Sequence, residues 1–330
     1  MSIKESMKIA CVRGLKFLNW VLIVFFLPLL SAQTLQVAAD VDNQELFFNY
    51  SVIRVNTNLV SVPVSVTNDL GQGVLNLQME DFHLTEDGQP AKISRLTDSS
   101  RSNLNMALLF DLSGSINPNF EFEQRAAIDF LKKIWKEGDV VSIIPFDETP
   151  DVRLHNSDNL QEAMWELRQL RPTKKTTSFF DAVALAAHLL QQSATEETLQ
   201  ALIVISDGAD NSSKLNIVTA LEEMQRNDMV FYAINPSGAS IHLNRINKRG
   251  QENLTTLADA TGGTVFVSDD TDDLENIFSK IALELRAQYL LNYYSLSSRM
   301  DGKYHPIKVS LPENPELRVR ARPGFLAVPR

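Results

Sequence analysis

Met106-Ala107-Leu108-Leu109-Phe110-Asp111-Leu112-Ser113-Gly114-Ser115 is the stretch on which the reading of this chain turns. Its first five residues are apolar without interruption, as in a strand buried on both faces. Asn117-Pro118-Asn119 follows, and from Phe120 onward the apolar residues recur at helical spacing. The polar residues therefore stand where a buried strand passes through a loop into a helix. Alternate side chains of an extended segment point the same way. Asp111, Ser113 and Ser115 thus turn three hard oxygens towards one point above the strand end, a set suited to Mg²⁺ or a similar cation. Such a short pattern suits equally a plain polar turn whose serines and aspartate cap the helix. The rest of the chain decides between them.

Strands and helices alternate from residue 104 to about residue 288, which predicts a parallel sheet with helical crossovers. The expected strands are 104–110, 140–146, 199–206, 229–234 and 264–267, with a short edge segment at 152–154. The expected helices are 120–135, 160–170 with Ser157 or Asp158 as cap, 182–192, 217–227, 253–261 and 274–288. Residues 53–97 read as all β, with Val60, Val62, Val64 and Val66 alternating along one strand and an Asp87-Gly88 hairpin turn. The pattern returns to β at 289–294, 305–311 and 317–321. The fold class is α/β: a doubly wound, mostly parallel, Rossmann-like sheet with flanking β-sandwich-like segments. The domains are expected at 51–100 (a small β module), 104–288 (the α/β domain) and 289–330 (a β segment packing on the N-terminal module).

In open α/β sheets, ligands bind outside the carboxyl ends of the strands, where strand order reverses. Asp111 ends the first strand of the α/β region, and Asp207 ends the most apolar one, which should be central. If the two are neighbours, both carboxylates meet at one crevice. Thr177 precedes the next helix and overhangs the same place. Asp111, Ser113, Ser115, Thr177 and Asp207 then offer two anionic and three hydroxyl oxygens to one cation.

With these segments in view, the chain resembles a von Willebrand factor type A domain, also called an integrin I-type domain. Asp111-x-Ser113-x-Ser115 matches that family's D-x-S-x-S motif, Thr177 its threonine, and Asp207-Gly208 the aspartate after the central strand. The likeness covers about residues 104–288. The flanking β segments, with the Glu86-Asp87-Gly88 turn and the Arg318-Val319-Arg320-Ala321-Arg322 tail, resemble a group of bacterial exported proteins built around this domain. The resemblance implies a metal-ion-dependent adhesion site for Mg²⁺ or Mn²⁺. Its hydroxyls ligate the ion, its aspartates act largely through water, and a Glu or Asp carboxylate of a protein partner completes the coordination. Family members often carry two glycines before the threonine. Lys175-Thr176 stands there in this chain, so Thr176 is the alternative to Thr177.

The N-terminus reads as a targeting segment, residues 1–32. Lys4, Lys8, Arg13 and Lys16 precede an apolar run, residues 17–30, and Ser31-Ala32 follows. Leu30 is large for the third position before a cleavage site, so an uncleaved membrane anchor is the alternative. Both place the rest outside the cytoplasm, secreted or in the periplasm or cell envelope, with membrane contact only through that segment. Residues 33–50 read as a linker. The one cysteine, Cys11, lies within the targeting segment, so the exported part has no disulfide framework. The net charge of −10 excludes nucleic acid as a main partner.

Two other functions compete with partner binding. A structural envelope protein would enclose its metal entirely. A hydrolase finds little support: there is no G-x-S-x-G elbow, no histidine near the motif in sequence, and Ser113 stands where an aspartyl-phosphate enzyme needs a second aspartate. The five histidines are scattered without metal-ligand spacing. Asp210 reads as a solvated loop acid, Asp269 to Asp273 as an acidic helix cap, and Phe179-Phe180 as packing at a helix start.

Overall fold

The computed structural model describes residues 59–98, 102–113, 120–195, 197–236, 245–268, 271–295 and 301–327. The expected targeting segment, the linker, residues 51–58, Gly114 and Ser115 lie outside the described residues. Along the chain come β1 (Leu59–Thr67), a turn of 3₁₀ helix at Met79–Asp81, β2 (His83–Glu86), β3 (Gln89–Ala91), β4 (Ile93–Asp98) and β5 (Leu104–Asp111). Then follow α1 (Phe120–Ile134), β6 (Val140–Phe146), β7 (Leu154–Ser157), α2 (Leu160–Gln169), α3 (Phe179–Gln191) and β8 (Leu199–Ile205). The chain continues through α4 (Ile217–Arg226), β9 (Val230–Asn235), α5 (Arg245–Thr261), β10 (Thr264–Val267) and α6 (Thr271–Arg286). It closes with β11 (Tyr289–Tyr294), β12 (Tyr304–Ser310), β13 (Arg318–Ala321) and β14 (Gly324–Leu326). Among the described residues no helix is long and apolar enough to cross a membrane.

The central sheet has the order β10-β9-β8-β5-β6-β7. Its pairings are parallel except for the edge strand β7, which runs antiparallel to β6. Every residue of β5 before Asp111 is buried, because alternate side chains enter two cores. Met106, Leu108 and Phe110 pack with α1, α2 and α6 on one face, and Ala107 and Leu109 with α3, α4 and α5 on the other. That is the doubly wound arrangement. Strand order reverses at β5, which has β6 on one side and β8 on the other.

Two antiparallel sheets, β13-β1-β11-β4 and β14-β12-β2-β3, enclose a third core. Val60, Val62 and Val64 of β1, Leu84 of β2 and Phe325 of β14 meet there. Each sheet mixes strands from before and after the α/β region.

Some expected boundaries move. The edge strand forms at Leu154–Ser157 rather than 152–154, where the register on β6 pairs Val141 with Ser157 and Ile143 with Leu154. Asn159, not Ser157 or Asp158, caps α2 by accepting from the N–H groups of Gln161 and Glu162. Helix α3 starts at Phe179, three residues early, and both phenylalanines are buried at its start. Helix α5 starts at Arg245, eight residues before the expected Asn253. Strand β14 was not anticipated.

Candidate metal centre

The crevice is built by the pairing of β5 with β8, in register to Phe110 and Ile205. The next residue on each strand is polar. Ser206 Oγ donates to Asp111 Oδ2 at 2.7 Å. The other carboxylate oxygen, Oδ1, accepts from Ser113 N at 2.9 Å and from Ser113 Oγ at 2.5 Å. Ser113 Oγ lies 2.5 Å from Thr177 Oγ1. Ser113 gives its single hydroxyl proton to the carboxylate, so Thr177 is the donor in that pair. Asp111, Ser113 and Thr177, the last 64 residues further on than Ser113, therefore meet in one cluster. Thr177 is buried, whereas Thr176 is exposed. Ser115 lies outside the described residues.

Asp207 follows Ser206 at the end of β8, and its Oδ1 accepts from Ala209 N at 2.9 Å. The turn after it depends on glycine. Gly208 has φ +74°, and a Cβ there would come within 2.4 Å of the Gly250 carbonyl oxygen in α5. Asn253 of the same helix donates to the Gly208 carbonyl at 3.0 Å. The Asp207 loop is thus fixed against α5.

The threonine loop is held from three sides. Thr173 N donates to Leu112 O at 2.6 Å, tying it to the loop after β5. Thr177 N donates to Asn211 Oδ1 at 2.8 Å, while Asn211 N and Ser212 N both donate to Thr177 O. Ser178 donates through its N–H and its hydroxyl to Asp147 O. These bonds position the Thr177 hydroxyl in a loop that has no glycine between Pro172 and Phe179. Lys175 reaches Asp147 Oδ2 at 3.3 Å from an exposed position.

Sequence reasoning missed Ser206, Asn211 and Asp147. Ser206 had a signal: it directly follows the strand that carries Asp207. Asp210 is half-buried. Its Oδ1 accepts from Ser213 Oγ at 2.5 Å and from Phe180 N at 3.5 Å, which joins its loop to the start of α3.

Burial pushes the Asp111 carboxyl up to about 6. Hydrogen bonds from Ser113 and Ser206 oppose the rise, and the charge of Asp207 adds to it. No basic side chain among the described residues acts on Asp111. A buried carboxylate beside a second acid, ringed by hydroxyls and without a basic partner, is a donor set that fits a hard divalent cation.

A family model for the von Willebrand factor type A domain matches residues 105–280. The chain belongs to the von Willebrand factor type A domain family. Domains of this family are protein-interaction modules that bind a divalent metal at a metal-ion-dependent adhesion site. Calcium-activated chloride channel regulator 1 of Bos taurus is 26% identical over 185 residues, which are 54% of this chain and 19% of that protein. The chain thus spans about a fifth of that relative's length. An aerotolerance-related membrane protein from Bacteroides fragilis superposes with a TM-score of 0.44 at 18% identity, covering 56% of this chain and 98% of that one. Proximal thread matrix protein 1 of the mussel byssus, in a structure with zinc in its adhesion-site motif, gives 0.49 at 17% identity, covering 61% and 50%. The von Willebrand factor type A region accounts for β5 through most of α6, and the sandwich strands lie on either side of it.

Proposed function

We propose that this chain is an exported interaction module that grips an acidic side chain of a partner protein through Mg²⁺ or Mn²⁺. Asp111, Ser113, Ser115, Thr177 and Asp207 would hold the ion. The observation that carries the reading is the convergence of the Asp111, Ser113 and Thr177 oxygens at the carboxyl end of β5, within 2.5 Å at each step. Few anionic ligands touch such an ion directly, so it retains attraction for one more carboxylate. Asp111 and Ser206 set the orientation of the serine hydroxyl, and the Asn211 side chain fixes the threonine. An ion bound there supplies positive charge at an otherwise acidic crevice, which turns repulsion of an acidic partner into binding.

The division into a 51–100 module, a 104–288 domain and a 289–330 segment belongs to the same proposal. In its support, β1 pairs with both β11 and β13, and β2 with β12. The α/β domain would then be an insertion in a β-sandwich. Export rests on the basic and apolar character of residues 1–32.

The test is capture of partner proteins from the native cell envelope by the immobilised chain. EDTA should abolish capture, Mg²⁺ should restore it, and Asp111→Ala should abolish it while leaving the circular dichroism spectrum intact. Capture indifferent to EDTA and to Asp111→Ala would refute the metal-bridged mechanism.

A further inference from the structure

The histidines look scattered in sequence, but one of them, on β12, joins acids carried by the neighbouring strand β2 and its turn. His305 Nδ1 lies 2.8 Å from Asp87 Oδ2, although the two residues are 218 positions apart. One carboxylate oxygen of Glu86, one of Asp87 and a ring nitrogen of His305 all lie within 4.8 Å of one another. The geometry points to a second cation site, formed by Glu86, Asp87 and His305 at the β2–β3 turn and suited to Zn²⁺ or a similar borderline divalent ion.

Several independent features support a built site. Asp87 and Gly88 form the two-residue turn between β2 and β3, with φ +51° and +76°. Positive φ at both positions is the hairpin geometry that an Asp-Gly pair favours. Asp87 N donates to Pro306 O at 2.9 Å, which pins the turn to β12. Glu86 pairs with Ile307 in the sheet, so the acid and His305 are carried on hydrogen-bonded strands. The His305 ring stacks on Phe325, centroids 5.2 Å apart, which fixes its plane.

Glu86 provides the observation that points to a ligand. It is 1% exposed. Its Oε1 accepts from Ser295 Oγ at 2.7 Å, but its Oε2 is buried with no hydrogen-bond partner. A buried carboxylate oxygen left unpaired costs free energy that a cation recovers. On the far side of the ring, His305 Nε2 lies 3.2 Å from both oxygens of Asp301. A carboxylate behind a metal-bound imidazole fixes its tautomer and orientation, the usual arrangement around zinc. Two carboxylates match the charge of the ion. The imidazole favours zinc over magnesium, which prefers oxygen and keeps its waters. Zinc bonds of about 2.0–2.2 Å place tetrahedral ligand atoms roughly 3.4 Å apart, so a modest contraction of the three groups closes on the ion. Three protein ligands leave one position open, and Asp87 faces solvent there.

The test is titration of the full chain with Zn²⁺ by calorimetry, in an Asp111→Ala background that removes the first site. One equivalent should bind. Asp87→Asn should weaken it at least tenfold, and Asp301→Asn about 10- to 100-fold. Both positions are solvent-facing, and Asn tolerates the turn geometry of Asp87, so the variants keep the fold. The His305 ring resonances should shift as zinc is added. Absence of binding, an unchanged affinity in both variants, or His305 resonances that do not move would each overturn the site. In that case the ring is held by its two carboxylates alone.

Discussion

Asp111 is the residue on which the candidate site depends. Its carboxyl is pushed up to about 6 by burial, against an ordinary value of 3.8. A raised carboxylate binds more protons when folded than unfolded over that interval. Its contribution therefore favours folding at low pH and is lost as pH rises through about 6. The metal-free chain should accordingly gain stability from this group between pH 7 and pH 5. The check is Tm against pH in EDTA, where Asp111→Asn should flatten that part of the profile relative to the parent. Metal changes the sign of the argument, since a cation needs the ionised form. Mg²⁺ affinity should fall below about pH 6, measurable by calorimetry at pH 7 and pH 5.5. The two threonines separate cleanly. Thr177→Val should reduce Mn²⁺ affinity at least tenfold, whereas exposed Thr176→Val should leave it within twofold, read by the relaxation enhancement of water protons.

At the scale of elements, the site is a meeting of strand ends and loops held by backbone bonds. Gly208 is the tightest point: it has left-handed φ, and an added Cβ runs into α5. Gly208→Ala should destabilise the chain by about 2–4 kcal/mol, measured by urea unfolding. It should also weaken metal binding, because the Asp207 loop must move. The strands that carry the site were readable because Met106–Phe110 and Leu202–Ile205 are apolar without a break, and such runs suit burial on both faces. The Asp87-Gly88 turn was readable because few dipeptides accept positive φ twice. Other elements gave a weaker signal. The first turns of α5, Arg-Ile-Asn-Lys-Arg-Gly-Gln-Glu, are nearly all polar, so its start was placed eight residues late. Strand β14 has three residues, too few for a period-two pattern. Asn211 looks like an ordinary loop residue until its side chain is seen to accept from Thr177 N. The Glu86, Asp87 and His305 cluster is invisible to spacing rules, since only strand pairing joins its two segments.

For the molecule as a whole, the sandwich and the α/β domain share a polar seam of buried groups. Arg322 is 2% exposed and meets Asp228 at 2.8 Å, with its Nη2 also donating to Ser61 O. Glu284 of α6 accepts from Ser65 of β1 and from Tyr232 of β9, and pairs with Arg320 of β13. Removing one member of a buried ion pair leaves the other charge uncompensated. Asp228→Asn should therefore cost about 3–5 kcal/mol, and unfolding followed by fluorescence and by circular dichroism should remain one coincident transition. Such a seam couples the sandwich to the end of the sheet opposite the crevice, near the start of β9. The most direct test of the account is a crystal grown with Mn²⁺ and measured at the manganese absorption edge. An anomalous peak is expected at the carboxyl ends of β5 and β8, about 2.2 Å from the hydroxyls of Ser113 and Thr177, with Asp111 and Asp207 on either side. A crystal with manganese in solution and no peak between those two aspartates would contradict it.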